Sequence, residues 1–516
     1  MRKRTGIVSL TLATAMMLAA ATGAEAAVAP LVRVTGLSTL AAGCNGAPQT
    51  GTVYVNSEVE PWIAINPVHR NHRVAVWQQD RWSNGGAQAN LTAISGDGGR
   101  TWARPTPPPF SRCVGGNADN GGDFERAADP WVDFAPNGDA HQIAVTFNNT
   151  DFQDGILVSS SRDGGRTWGP VVTLDRDATP QIVLDKQSLT ADPTDSRYAY
   201  AVWTAVTFPN FPDLTTYLGP TRFARTVDGG ATWQPVQVIF DPGGLNNQTL
   251  GNQIAVLPDG TLVNAFTWII HDELHVGVQR SADKGRTWSE PVLVDRMRSL
   301  ATVDPRDGAL VRDGNLLLDV AVDPRAGSDD VYLVWQDARF TGDRRNQIAL
   351  SRSSDGGRTW SRPTRVSQNL ATQAFTPSVA VDADGNVGVT YYDFSFDTAA
   401  SAALATDHWF TRSQDGGRTW SLPERVTGHS FDMRMAPNAG GYFLGDYIGL
   451  AADGPRFTPL FPVSLDDANP TDTLTTTVHP PFGALPSSGA LLEPIKLGQP
   501  RPPGRLLAGA ARAPLR

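Results

Sequence analysis

One octet, Ser/Thr-x-Asp-x-Gly-x-Thr-Trp, occurs six times along the chain: at 95–102, 161–168, 226–233, 281–288, 353–360 and 413–420. Its aspartates, Asp97, Asp163, Asp228, Asp283, Asp355 and Asp415, stand 55 to 72 residues apart. Repetition in register over most of a 516-residue chain implies one supersecondary unit per copy, each burying its face against the next.

The residue types suit a hairpin turn. An aspartate carboxylate can accept hydrogen bonds from backbone N–H groups inside the turn. Glycine takes the positive φ that other residues resist, and the hydroxyls of Ser and Thr satisfy the remaining polar groups. Tryptophan covers the hairpin and packs into the sheet. The six aspartates are therefore expected to be structural, neither catalytic nor metal-binding.

A second unit precedes each octet: an apolar strand, a tight turn and another apolar strand, as at 61–81, 130–147 and 377–394. Asn137-Gly138, Asp259-Gly260, Asp384-Gly385 and Asp453-Gly454 are dipeptides that two-residue hairpins favour. The unit recurs a seventh time at 445–463 without an octet, and 472–478 offers it a third strand. Each period thus holds about four antiparallel strands, named A to D in chain order. The expected fold is an all-β propeller, which leaves only short, protected edges. Seven blades are expected, closed by a strand from 31–37; six blades with an appended hairpin are the alternative.

The octets resemble the Asp boxes (BNR repeats) of the sialidase superfamily over roughly residues 50–480, and their rhythm is similar to that of secreted bacterial sialidase-like proteins. The resemblance implies a propeller with its site at the mouth opposite the boxes, and an exo-glycosidase of sialidase type. It does not fix the activity, because a shared fold hosts many. The Arg-Ile-Pro tripeptide of true sialidases is absent from this chain.

In such a blade the D-to-A and B-to-C connections emerge on one face, opposite the octets. Before strand A stand Glu58 and Glu60, Arg126 and Asp129, Asp185 and Lys186, Arg312 and Asp313, and Asp446 with Tyr447; after strand B stand Asp80 and Arg81, Asp337 and Arg339, and Tyr392 with Asp393. Paired carboxylates can divide acid and nucleophile roles, and arginine grips a substrate anion. The catalytic candidates are Glu60, Asp129 and Asp185 as acid/base and Tyr392 or Tyr447 as nucleophile. The substrate-binding candidates are Arg81, Arg126, Arg312, Asp337 and Arg339. The expected partner is a carbohydrate or glycoconjugate; a non-catalytic glycan- or protein-binding propeller and a polysaccharide lyase are the alternatives. Neither His271 with His275 nor 382–386 has the spacing of a metal site, so no cofactor or metal is expected.

Composition bounds the rest. The net charge is −9 with scattered basic residues, which excludes a nucleic-acid footprint. Arg2, Lys3 and Arg4, the apolar run 6–23 and Ala24-Glu25-Ala26 read as a signal peptide spanning 1–26, so a secreted chain without a membrane span is expected. The propeller is assigned to 31–490, a disordered tail to 491–516, and the state to a monomer. In an oxidising compartment Cys44 and Cys113 are expected to form one disulfide.

Overall fold

The computed structural model describes residues 28–465 and 470–479; the expected signal peptide and tail lie outside them. The described residues are all-β, with antiparallel sheets and three single 3-10 turns at Arg112–Val114, Arg339–Thr341 and Met433–Met435.

Strand Val53–Ile65 pairs with Arg73–Trp82, and this with Ala87–Ser95; the first octet follows, and Ala103 bridges back to Ile94. The same order recurs in the groups that open with Arg126–Phe134, Ile182–Ala191, Asn247–Val256, Leu318–Val322 and Ala374–Val381. The last group has no octet. Its strands Gly449–Asp453, Arg456–Ser464 and Thr471–Thr475 are joined by Val32–Arg33 from the other end of the chain. Each opening strand packs on the opening strand of the next group, and Gly449–Asp453 packs back on Val53–Ile65. The opening strands thus make a closed circuit.

The second strands are covered on both faces, so they read as continuous apolar runs instead of alternating ones. Every residue of Arg73–Trp82 is buried. Trp77, Trp203 and Trp335, each fifth in its strand, are fully buried and anchor the packing. The outermost strands, such as Thr364–Arg365 and Glu424–Arg425, are short and polar, which blunts the sheet edges.

The octets are closed turns. Asp97 Oδ1 accepts from the N–H groups of Arg100 and Thr101 at 3.0 and 2.9 Å, and Oδ2 from the Thr101 hydroxyl at 2.6 Å. Ser95 donates to Asp97 at 2.9 Å and accepts from the Gly99 N–H at 2.8 Å. The Ser/Thr and Asp contacts repeat at Asp163, Asp228, Asp283, Asp355 and Asp415. Hydroxyl donation from Thr101 and from Thr232 holds Asp97 and Asp228 down at about 2. Gly98 and Gly99, at φ 79° and 88°, sit where a side chain would be strained. Cys44 and Cys113 are joined by a disulfide that ties the N-terminal segment to the first group.

Candidate functional site

Five opening strands carry the same irregularity. Pairing skips Glu60-Pro61, Asp129-Pro130, Lys186-Gln187, Gly251-Asn252 and Thr376-Pro377, each opposite one residue of the second strand. The first residue of every pair is left-handed, with φ of 52°, 48°, 50°, 60° and 46°. A bulge of this kind turns a side chain out of the ladder. Four of the five are not glycine, and each such residue costs on the order of 1–3 kcal/mol unless its surroundings over-determine it.

For three of them the surroundings are one another. The Lys186 ammonium lies 2.8 Å from Asp446 Oδ2, 3.2 Å from Asp129 Oδ2 and 3.4 Å from Glu60 Oε1. Asp446 also takes a two-pronged grip from Arg312, Nε to Oδ1 at 3.0 Å and Nη2 to Oδ2 at 2.6 Å. Its own N–H donates to Glu60 Oε1 at 3.1 Å. Arg312 and Asp446 arrive from two insertions that meet: Leu310–Arg312 pairs antiparallel with Thr302–Val303 and parallel with Tyr442–Phe443. This small sheet sits beside the bulges, with the Glu60 N–H donating to the Leu444 carbonyl at 3.1 Å.

Gln78 closes the cluster from the second strand. Its amide nitrogen donates to Glu60 Oε2 and, at 3.2 Å, to Asp129 Oδ1, while Arg81 Nη1 donates to its oxygen at 2.7 Å. Arg81 and Arg312 both lie over the Phe443 ring, at 4.8 and 4.4 Å. Behind them Trp62, Trp131 and Tyr447 pack together, the two indoles 3.6 Å apart.

Burial and neighbouring charge separate the ionisation of these groups. Burial, then the charge of Asp129, pushes Glu60 up to about 8. Burial acts on Asp446 in the same direction, but Arg312 and Lys186 hold it well below the usual carboxylate range. Burial works against the Lys186 charge, and Asp129, Asp446 and Glu60 outweigh it, so the amine is pushed well up. At neutral pH the site therefore pairs a neutral Glu60 with a charged Lys186 and an ionised Asp446. Of the ion-paired groups Arg312 is the most open, its side chain 23% exposed.

The sequence-derived candidates divide. Glu60, Asp129 and Arg312 meet at the cluster, and Arg81 joins through Gln78. Asp185 is half-buried beside it and accepts from the Lys186 N–H at 2.8 Å; desolvation pushes its carboxyl up. Tyr447 adjoins by its ring, 5.9 Å from the Lys186 ammonium, but its hydroxyl donates to the Pro130 carbonyl at 3.3 Å.

Four candidates lie elsewhere. Tyr392 is buried in an apolar cluster against Phe375 and His408, its hydroxyl donating to the Pro462 carbonyl at 2.7 Å. Arg126 lies over Trp82 and clasps Gln49, Thr50, Asn84 and Gly85, fastening an N-terminal loop. Asp337 accepts from the Trp335 indole at 2.9 Å and from Arg339, which also holds Asp295; the pair ties two strand groups together. Lys186 and Asp446 stood among the strand-end residues without a role, and Gln78 was missed. The usable signal was the acid-Pro-Trp repeat at Glu60-Pro61-Trp62 and Asp129-Pro130-Trp131, which marks equivalent bulges. Among the described residues no group of three or more His, Cys, Asp or Glu side chains could hold a metal ion.

No protein-family profile and no curated protein matches the sequence. Solved structures do. An α-L-arabinanase from Penicillium chrysogenum is 12% identical with a TM-score of 0.44, covering 88% of this chain and 98% of its own. An ulvan lyase is 12% identical with a TM-score of 0.43, covering 64% and 76%. A structure of NanB with Optactamide is 13% identical with a TM-score of 0.40, covering 86% and 70%. At this level the likeness carries no weight beside the strand pairing and the bulge geometry.

Proposed function

We propose that this chain is a secreted seven-bladed propeller that hydrolyses an acidic glycan at its axial mouth. The closed circuit of seven opening strands supports the blade count. One observation carries the activity: Glu60 and Asp129 share a single amide nitrogen of Gln78. Their facing oxygens are thus no farther apart than about 5 Å, a bound that admits the spacing of a retaining glycosidase and not that of an inverting one.

The roles follow from the electrostatics. Glu60, neutral up to about pH 8, gives its proton to the leaving oxygen. Asp129, held against Lys186 at 3.2 Å, attacks the anomeric carbon and forms a glycosyl ester. Glu60, now ionised, takes a proton from water, which attacks the same carbon and releases Asp129. Arg312, the most open of the ion-paired groups with its side chain 23% exposed, is placed to receive an acidic group of the substrate. Tyr447 is assigned to packing, because its hydroxyl is committed to Pro130 and its neighbours disfavour a phenolate: burial, then Glu60 and Asp129, push it well up.

The test is sugar release by the protein from residue 27 onward from fluorogenic glycosides of acidic and neutral sugars. Asp129→Asn is expected to abolish release. Glu60→Gln is expected to spare substrates with good leaving groups and lose poor ones, by roughly the 10²–10⁴-fold that a positioned acid contributes. Release unchanged in both variants refutes the assignment. An unsaturated product favours the lyase alternative, and retention on glycans without cleavage favours the binding one.

A further inference from the structure

We propose that Gln78, oriented by Arg81, is a positioning residue that sets the spacing and the proton distribution of the Glu60–Asp129 pair; this rests on the reading of those two carboxyls as the working pair. A carboxamide offers two N–H donors on one side and an acceptor oxygen on the other. The Gln78 oxygen is taken by Arg81 Nη1 at 2.7 Å. That fixes which end of the amide faces the carboxyls, and the nitrogen then serves Glu60 and Asp129.

Gln78 and Arg81 lie three residues apart on the buried strand Arg73–Trp82. The Arg81 N–H is itself held by the Ser57 hydroxyl at 2.8 Å. The donor is therefore mounted on the rigid second strand, while the carboxylates it serves sit on two different opening strands. Without it, Lys186 would be the remaining side chain in contact with both acidic groups, with the Asp446 N–H holding Glu60 only. Because its contact with Glu60 is to a carboxylate oxygen, Gln78 favours the charged form, and its loss shifts Glu60 toward protonation. Facing Glu60 stand Asp129, Lys186, Asp446, Arg81, Arg312 and Tyr447, and Gln78 is an uncharged donor among them.

The experiment is a titration that needs no turnover. The carboxylic-acid C=O band of Glu60, identified by its loss in Glu60→Gln, is followed by infrared difference spectroscopy from pH 6 to 10 in the wild-type chain, Gln78→Met and Gln78→Asn. The expected result is an upward move of the Glu60 midpoint by about one pH unit or more in both Gln78 variants. The alkaline limb of any hydrolysis profile should move with it. Asn keeps the polarity but is one methylene too short, so it covers a failure of Met to fold. A midpoint within about 0.3 unit of wild type overturns the proposal, even where hydrolysis is lost. A shifted midpoint in a chain that releases no sugar keeps the positioning role and defeats the glycosidase reading instead.

Discussion

Replacing Lys186 by methionine tests the cluster most directly, because it removes the charge and keeps most of the stem's volume. Lys186 is the cation in contact with Glu60 and Asp129, whereas Asp446 retains Arg312. Removing one partner of a buried ion pair costs about 3–5 kcal/mol, since the other is left uncompensated. The cost must depend on pH. Without the ammonium, the folded-state pKa of Glu60 rises further above its unfolded value, beyond the about 8 it already has. A carboxyl raised in this way contributes stability that is fully present below its unfolded pKa and is lost as pH rises through the folded one. Below pH 8 Glu60 is protonated in both folded chains, so the variant should be hurt least there and most near pH 10, where wild-type Glu60 ionises against the ammonium and the variant's cannot. Each unit of rise is worth about 1.4 kcal/mol, so the deficit at pH 7 should be smaller than that at pH 10 by about 1–3 kcal/mol. Urea denaturation followed by tryptophan fluorescence at both pH values measures it. Adding Glu60→Gln should recover part of the loss at pH 10, because a carboxamide needs no counter-charge. A Lys186→Met deficit below about 1 kcal/mol at both pH values would show that the ammonium does not hold the site, and the electrostatic account would fail.

Two further outcomes bear on the frame. Burial pushes Asp154 up to about 8, Asp133 to about 7 and Asp319 to about 6, and these carboxyls accept from N–H groups of neighbouring strands at Leu184, Ala191 and Val379. Their stabilisation is lost as pH rises through 6–8, so calorimetry should find a higher thermal midpoint at pH 5 than at pH 8.5; a flat or rising profile would contradict this. The Cys44–Cys113 bridge closes a loop of 69 residues, for which the chain-entropy relation gives about 4 kcal/mol. A Cys44→Ser/Cys113→Ser chain whose urea midpoint matches wild type would show that the bridge is not a stabilising tie.

The octets were legible because their fixed residues answer to one another within three or four positions: Asp97 to Thr101, Ser95 to Gly99, Trp102 to Gly99. The last strand group was legible for a similar reason, since 472–478 and 31–37 had no other edge to pair with. Strand-end reasoning placed Glu60, Asp129 and Arg312 together but could not separate them from Asp337 and Arg339. Both sets obey the same rule, a charged residue where a buried strand meets its loop. What separates them is whether the charge finds its partner within reach of its own strand end, as Arg339 finds Asp337 two residues away, or must reach across the circuit. That second property depends on the bulges and on the parallel pairing of Arg312 with Phe443, 131 positions on, which no local pattern announces. The bulge signature also explains why Lys186 was overlooked. Its strand has Lys-Gln where the first two have acid-Pro-Trp, so the position is equivalent in backbone while its residue types differ. The departure is what makes the cluster: another acidic group at that bulge would add repulsion, whereas a lysine there sets one ammonium against Glu60, Asp129 and Asp446.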